Sequence, residues 1–276
     1  MSVVTEPPGA RQRSPWRSVA LPSEHGGWGL TAEPVLLGLL IAFSWSGMAI
    51  GVAAVLAFLV RTPLKLAVVD RRRGRSLART RLARRLAAAE LAAIAVLAAG
   101  ATIAVGPRWL IPIAVAAPLI VTELWFDVRS RGRRLVPELC GSVGIAAVAA
   151  AIVVAGDESA SLAIAVWLIV AGRAVAAVPF VRAQIDRLRH GDSTTTRRAT
   201  TTADAFQAVG VGLAAVGAFV DGGVLLGTVA VGLLAASQLV ALRRSPVPPA
   251  KTIGIRQMTF GLVVVVATAF GVFIAR

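Results

Sequence analysis

The stretch VPELCGSVGIAAVAAAIVVAG, residues 136–156, holds one charged side chain, Glu138, close to its start. A helix rises 1.5 Å per residue, so a run of this length covers about 30 Å, the thickness of the hydrocarbon core of a bilayer. Working outward, similar runs lie at about 26–44, 47–66, 86–106, 108–127, 160–181, 203–220, 223–242 and 255–275. Gly38, Pro112, Pro118, Gly210 and Gly217 fall inside them, and membrane helices tolerate such residues. The expectation is an all-α polytopic membrane bundle of about nine transmembrane helices.

Composition points the same way. Hydrophobic residues make up 57% of the 276, and the mean hydropathy is +0.76. That excludes a disordered chain and argues against a water-soluble domain. The formal net charge of +15 would suit a nucleic-acid partner if the charge were clustered on a soluble face. Instead it alternates with the spans. With the N-terminus in the cytoplasm, 26 of the 29 Lys and Arg fall in the N-terminal tail or in segments 61–85, 127–135, 182–204 and 242–256. The opposite side keeps Arg108 and the C-terminal Arg276, with Asp157, Glu158 and Asp221. Every loop then obeys the positive-inside rule. The charge therefore reads as topology, with membrane lipids as partners and no nucleic acid. The expected location is a bacterial cytoplasmic membrane, multi-pass, with the N-terminus cytoplasmic and the C-terminus outside.

Residues 1–20 carry Pro, Ser and Arg without an apolar core. They read as a disordered cytoplasmic tail rather than a signal peptide, and residues 21–276 as one membrane domain. Ser193–Thr202 and Arg243–Lys251 read as flexible cytoplasmic loops. One cysteine, Cys140, and two histidines, His25 and His190, exclude an internal disulfide, a cysteine metal cluster and a histidine-rich metal site. These residue types imply no cofactor.

Ionisable residues inside spans are costly and mark candidate sites. They are Glu33, Glu90, Glu123, Asp127, Glu138 and Arg173, with Arg61 and Lys65 at the end of the second span. Glu90 is expected to pair with Arg84 or Arg85. Arg61 and Lys65 share one helix face, as do Glu123 and Asp127, and Arg182 and Asp186. Glu138 opens its helix, where the dipole favours a carboxylate. His25, between Glu24 and two glycines, could donate to an anion. The expectation is that His25, Glu33, Arg61, Lys65, Glu138, Arg173 and Arg182 converge between cytoplasmic helix ends. The basic residues would then outnumber the carboxylates and leave a positive pocket for an anion.

The segment Pro22-Ser-Glu-His25-Gly26-Gly27-Trp28 resembles the P-x-x-H-G-x-W opening of the YwiC-like family of bacterial integral membrane proteins. Glu138-Leu-Cys-Gly141 is similar to that family's E-L-x-G. Arg173 with Val178-Pro179-Phe180-Val181-Arg182 is similar to its R…P-F-V-R, and Lys251-Thr-Ile-Gly254 precedes the last span. The resemblance names a family without implying an activity. A more distant one is to UbiA-type intramembrane prenyltransferases, which have nine helices, a cytoplasmic N-terminus and active-site loops after the second and sixth. In that superfamily paired Asp motifs hold Mg²⁺ and a diphosphate. Here those loops offer Asp70 amid Arg71, Arg72, Arg73 and Arg75, and Asp186 with Asp192. The full acidic motifs are absent, and arginines hold anions rather than Mg²⁺.

The leading functional expectation is a non-enzymatic protein that binds or moves a small anionic or amphipathic ligand, isoprenoid- or quinone-like, in a positive pocket on the cytoplasmic side. The alternatives are a diverged UbiA-like prenyltransferase-type enzyme and a structural or assembly protein of the membrane.

Overall fold

The computed structural model describes residues 25–74, 77–129, 134–191 and 193–276. Among these residues the chain forms nine α-helices and no strand: α1 (His25–Ile41), α2 (Trp45–Arg72), α3 (Ala78–Val105), α4 (Leu110–Val128), α5 (Leu135–Ala155), α6 (Ala160–His190), α7 (Thr194–Val220), α8 (Leu225–Ala241) and α9 (Ala250–Ala275). Short 3₁₀ turns, Pro107–Trp109 and Gly222–Val224, lead into α4 and α8. Eight of the nine are long and apolar enough to cross a membrane, and α1 is a shorter apolar helix. Its 17 residues cover about 25 Å.

The all-α polytopic bundle is as the sequence predicts, but several helices run past the apolar stretches. α2 extends to Arg72 and α3 begins at Ala78, so most of the basic segment 61–85 is helical rather than loop. Thr194–Thr202 is also helix, contrary to expectation. Ser193 caps it, its Oγ accepting from Thr196 N at 3.2 Å. The hydroxyls of Thr200 and Thr201 donate to the carbonyls of Thr196 and Arg197. The loop after α8 ends at Pro249, and Lys251 already lies in α9.

α5 and α6 form the centre of the bundle. α5 buries Ala146, Ala147, Ala149, Ala150 and Ala151, and small side chains let membrane helices approach closely. One apolar core joins Leu37 and Ile41 of α1 to Ala146 and Val153 of α5, Val166 and Ile169 of α6, Val231 of α8 and Val264 of α9. A second joins Ile50 and Ala54 of α2 to Ala101, Trp109 and Ile152. α6 and α7 touch backbone to backbone where Gly172 faces Gly210: a Cβ on either would meet the other's carbonyl oxygen. The outer surface is bulky and apolar, with Ile103, Phe219 and Phe273 among the most exposed side chains. An apolar surface of this extent requires lipid rather than water around it.

The two ends of the bundle differ. At one, Arg276 pairs with Glu158 at 2.6 Å and donates to the Ile41 carbonyl at 3.2 Å, drawing together the ends of α1 and α9 and the α5–α6 turn. The other is arginine-rich. There Arg187 donates to the Arg244 carbonyl at 3.0 Å and Arg243 pairs with Asp204 at 2.9 Å. Among the described residues, the basic ends of α2, α6 and α8 thus lie at one end, as the charge pattern requires.

Candidate functional site

At the arginine-rich end, α2 and α4 face each other through charge. Arg61 lies 2.7 Å from Glu123 and 3.8 Å from Asp127, and Lys65 donates to Asp127 at 2.6 Å. The i, i+4 spacing that puts each pair on one face lets the two basic groups meet the two carboxylates in register. Glu123 reaches on to α5, where its carboxylate rests on Gly141, leaving no room for a Cβ. One turn earlier on α5, Glu138 accepts from Arg182 of α6 at 2.8 Å. Four helices are stitched together at this level.

Glu33 and Arg173 lie deeper. Arg173 precedes Arg182 by nine residues on α6, about 13 Å along the axis. Its Nη2 stands 2.8 Å from Glu33 Oε1 and donates to the Gln257 carbonyl at 2.7 Å. Both side chains are buried. The carboxylate lies against Gly261 of α9, where no Cβ fits.

The expected convergence is therefore partial. Arg61, Lys65, Glu138 and Arg182 share the arginine-rich end, while Glu33 and Arg173 form a separate inner layer. The side chain of His25 falls outside the described residues, as do Asp192 and residues 1–24. The expected positive excess is absent among these groups. Glu123 and Asp127 join the set, so Arg61, Lys65, Arg173 and Arg182 meet four carboxylates. The reason is electrostatic: an unpaired charge inside a span costs a few kcal/mol, so neighbouring helices supply the opposite sign.

One further expectation is corrected. Glu90 pairs with neither Arg84 nor Arg85; its Oε2 is buried and has no hydrogen-bond partner among the described residues. Arg182, on the face of α6 that also carries Asp186, reaches Glu138 of α5. Asp70, the acidic residue of the first basic segment, is 2% exposed and accepts from Thr80 Oγ1 at 2.6 Å, while Thr80 in turn accepts from Leu77 N. Its carboxylate staples the α2–α3 turn.

Sequence reasoning passed over a set of neutral amides. Gln207, Gln238 and Gln257 are buried and hydrogen-bonded in series across α7, α8 and α9. A glutamine inside an apolar span is a signal of the same kind as a charge, though a weaker one, and a search confined to ionisable groups misses it.

Beside the charged cluster a groove opens on the lipid-facing side between the ends of α2 and α4. Arg72, Val121, Leu124, Trp125, Val128 and Arg129 line it. The Arg129 guanidinium lies over the Trp125 ring, 3.4 Å from its centre.

A family model described as YwiC-like protein matches residues 21–154. The matched part, which holds the first five helices, is similar to that family. The YwiC-like part contributes Glu33, Arg61, Lys65, Glu123, Asp127 and Glu138, and the helices beyond it contribute Arg173 and Arg182. No curated protein and no solved structure matches the chain. The prenyltransferase resemblance thus rests on helix number and loop position alone, and fold likeness does not carry function.

Proposed function

We propose that this YwiC-like membrane protein binds an anionic amphipathic molecule from the cytoplasmic leaflet, with the head group at the arginine-rich end and the apolar tail against α4. The positive-inside rule turns that end to the cytoplasm in this reading. The observation that carries it is the groove: two arginines among otherwise apolar lining residues in an open cleft. One of them is held over an aromatic face, an arrangement that presents a cation at a fixed place. The internal pairing of Arg61 and Lys65 leaves Arg72 and Arg129 as the cations of this groove.

Magnitudes favour head-group recognition. The tail sits in an apolar medium whether bound or free, so it adds little. Each basic residue near an anionic head group contributes about 1 kcal/mol, so two give a preference of about thirty-fold. Native mass spectrometry of protein loaded with phosphatidic acid against phosphatidylcholine tests this. The Arg72→Ala, Arg129→Ala double variant is expected to lose most of the preference for the anionic lipid, whereas Arg84→Ala, Arg85→Ala on the exposed start of α3 retains it. Equal losses in the two would reduce the effect to general surface charge and overturn the proposal.

A further inference from the structure

Through α6–α9 the interior is layered. Nearest the arginine-rich end, Gln184 donates to the Ala241 carbonyl at 3.3 Å and accepts from Arg187 at 3.2 Å. Next comes an apolar ring of Phe180, Ala183, Ala203, Leu242 and Ile253. One turn deeper lie the three amides: Gln207 follows Ala203, Gln238 precedes Leu242 and Gln257 follows Ile253, each by four residues. Arg173 and Glu33 close this polar layer, and beyond them lies the main apolar core.

The layer is connected but not satisfied. Gln207 Nε2 donates to the Ala176 carbonyl at 3.0 Å and to Gln238 Oε1 at 2.8 Å, and Gln238 Nε2 donates to Gln257 Oε1 at 3.2 Å. The Ala176 carbonyl fixes which way the Gln207 amide points, because the reverse orientation sets oxygen against oxygen. Gln207 Oε1 is then buried without a donor, Arg173 Nε without an acceptor and Glu33 Oε1 without a hydrogen bond among the described residues. Arg173 Nη2 approaches that oxygen, but the hydrogen bond it makes runs to Gln257. A buried donor or acceptor left unmet is costly, and buried polar atoms left open by the protein are ordinarily met by water.

We propose that the Glu33–Arg173–glutamine layer is a water-binding site inside the membrane, closed toward the arginine-rich end by the one-turn ring around Phe180. Water supplies what the layer lacks: a donor to Gln207 Oε1, and a molecule that accepts from Arg173 Nε and donates to Glu33 Oε1. The ring is the thinner seal. Toward the other end the core has Leu37, Val166, Ile169, Val231 and Val265, and on α9 the next buried polar side chain is Thr268, about two turns beyond Gly261, its hydroxyl already donating to the Val264 carbonyl. The site therefore fills from the arginine-rich side only, as a dead-end vestibule rather than a channel.

Hydroxyl-radical footprinting by X-ray pulses, in ¹⁸O-water on the whole chain in nanodiscs, tests the site. Phe180 stands one turn from Ala176 and is buried, so it is oxidised only if water sits beside it. The expected result is Phe180 oxidation in the wild type, reduced several-fold in the triple variant Gln207→Leu, Gln238→Leu, Gln257→Leu. Unoxidised wild-type Phe180, or equal oxidation in both proteins, overturns the proposal. If the triple variant does not fold, a wild-type structure that resolves water decides. Density bonded to Gln207 Oε1 and Arg173 Nε upholds the site; dry contacts there, with water resolved elsewhere, refute it.

Discussion

At the scale of single residues, the Glu33–Arg173 pair is the most exacting feature. Removing one member leaves the other charged and unmatched in an apolar interior, which costs about 3 kcal/mol or more. Thermal unfolding in detergent is expected to show Glu33→Ala and Arg173→Ala each strongly destabilised. The double variant Glu33→Leu, Arg173→Met should be closer to the wild type than either single variant, because no charge is orphaned. Additive losses would mean that the two side chains act independently. Gly261→Ala should mimic the single variants, since its methyl would occupy the place of the Glu33 carboxylate and the tip of Arg173. The cost of a buried charge makes Glu33 and Arg173 visible in the sequence as side chains that need a reason. That they answer each other is not visible, because their partnership depends on which helices become neighbours. The same holds for Arg61 and Lys65: the spacing puts them on one face but is silent about Glu123 and Asp127 opposite.

At the scale of elements, the start of α7 shows a local rule overridden. Threonine is a weak helix former because its branched Cβ restricts χ1, and a run of six threonines among Thr194–Thr202 reads as loop. Three things outweigh this: the Ser193 cap, hydroxyls that bond back to carbonyls one turn earlier, and the burial of Thr196 and Ala203. Replacing an N-cap serine costs about 1 kcal/mol. Ser193→Ala is therefore expected to raise amide hydrogen exchange over the first two turns of α7 and leave the amides beyond Gly210 unchanged. Exchange that is already fast in the wild type over these turns would show the segment to be the loop that its composition suggests. The apolar part of α7 was legible because bilayer thickness is a length filter that propensity does not disturb. Its polar extension was not, since caps and tertiary burial decide it.

At the scale of the whole molecule, nine apolar stretches and an alternating charge pattern are enough to give the architecture, because lipid permits so few alternatives. What they leave open is which face is which in the cell. The contacts constrain this further. The Arg276–Glu158 pair and the Ile41 carbonyl belong to one end, and the Asp70–Thr80 staple and the Arg187–Arg244 contact belong to the other. Inverting one helix would break a named contact, so the chain must be inserted as it stands or turned over whole. Turning it over would carry the arginine-rich segments across the membrane against the positive-inside rule. Single cysteines in a Cys140→Ser background separate the two cases. A membrane-impermeant maleimide added to intact cells is expected to label Ala160→Cys, at the exposed start of α6, and to reach Thr195→Cys, at the exposed start of α7, only after permeabilisation. The opposite pattern would place the groove and the filling side of the water site on the outer face. It would move the proposed head-group contact to the outer leaflet while leaving every intramolecular pair described above intact.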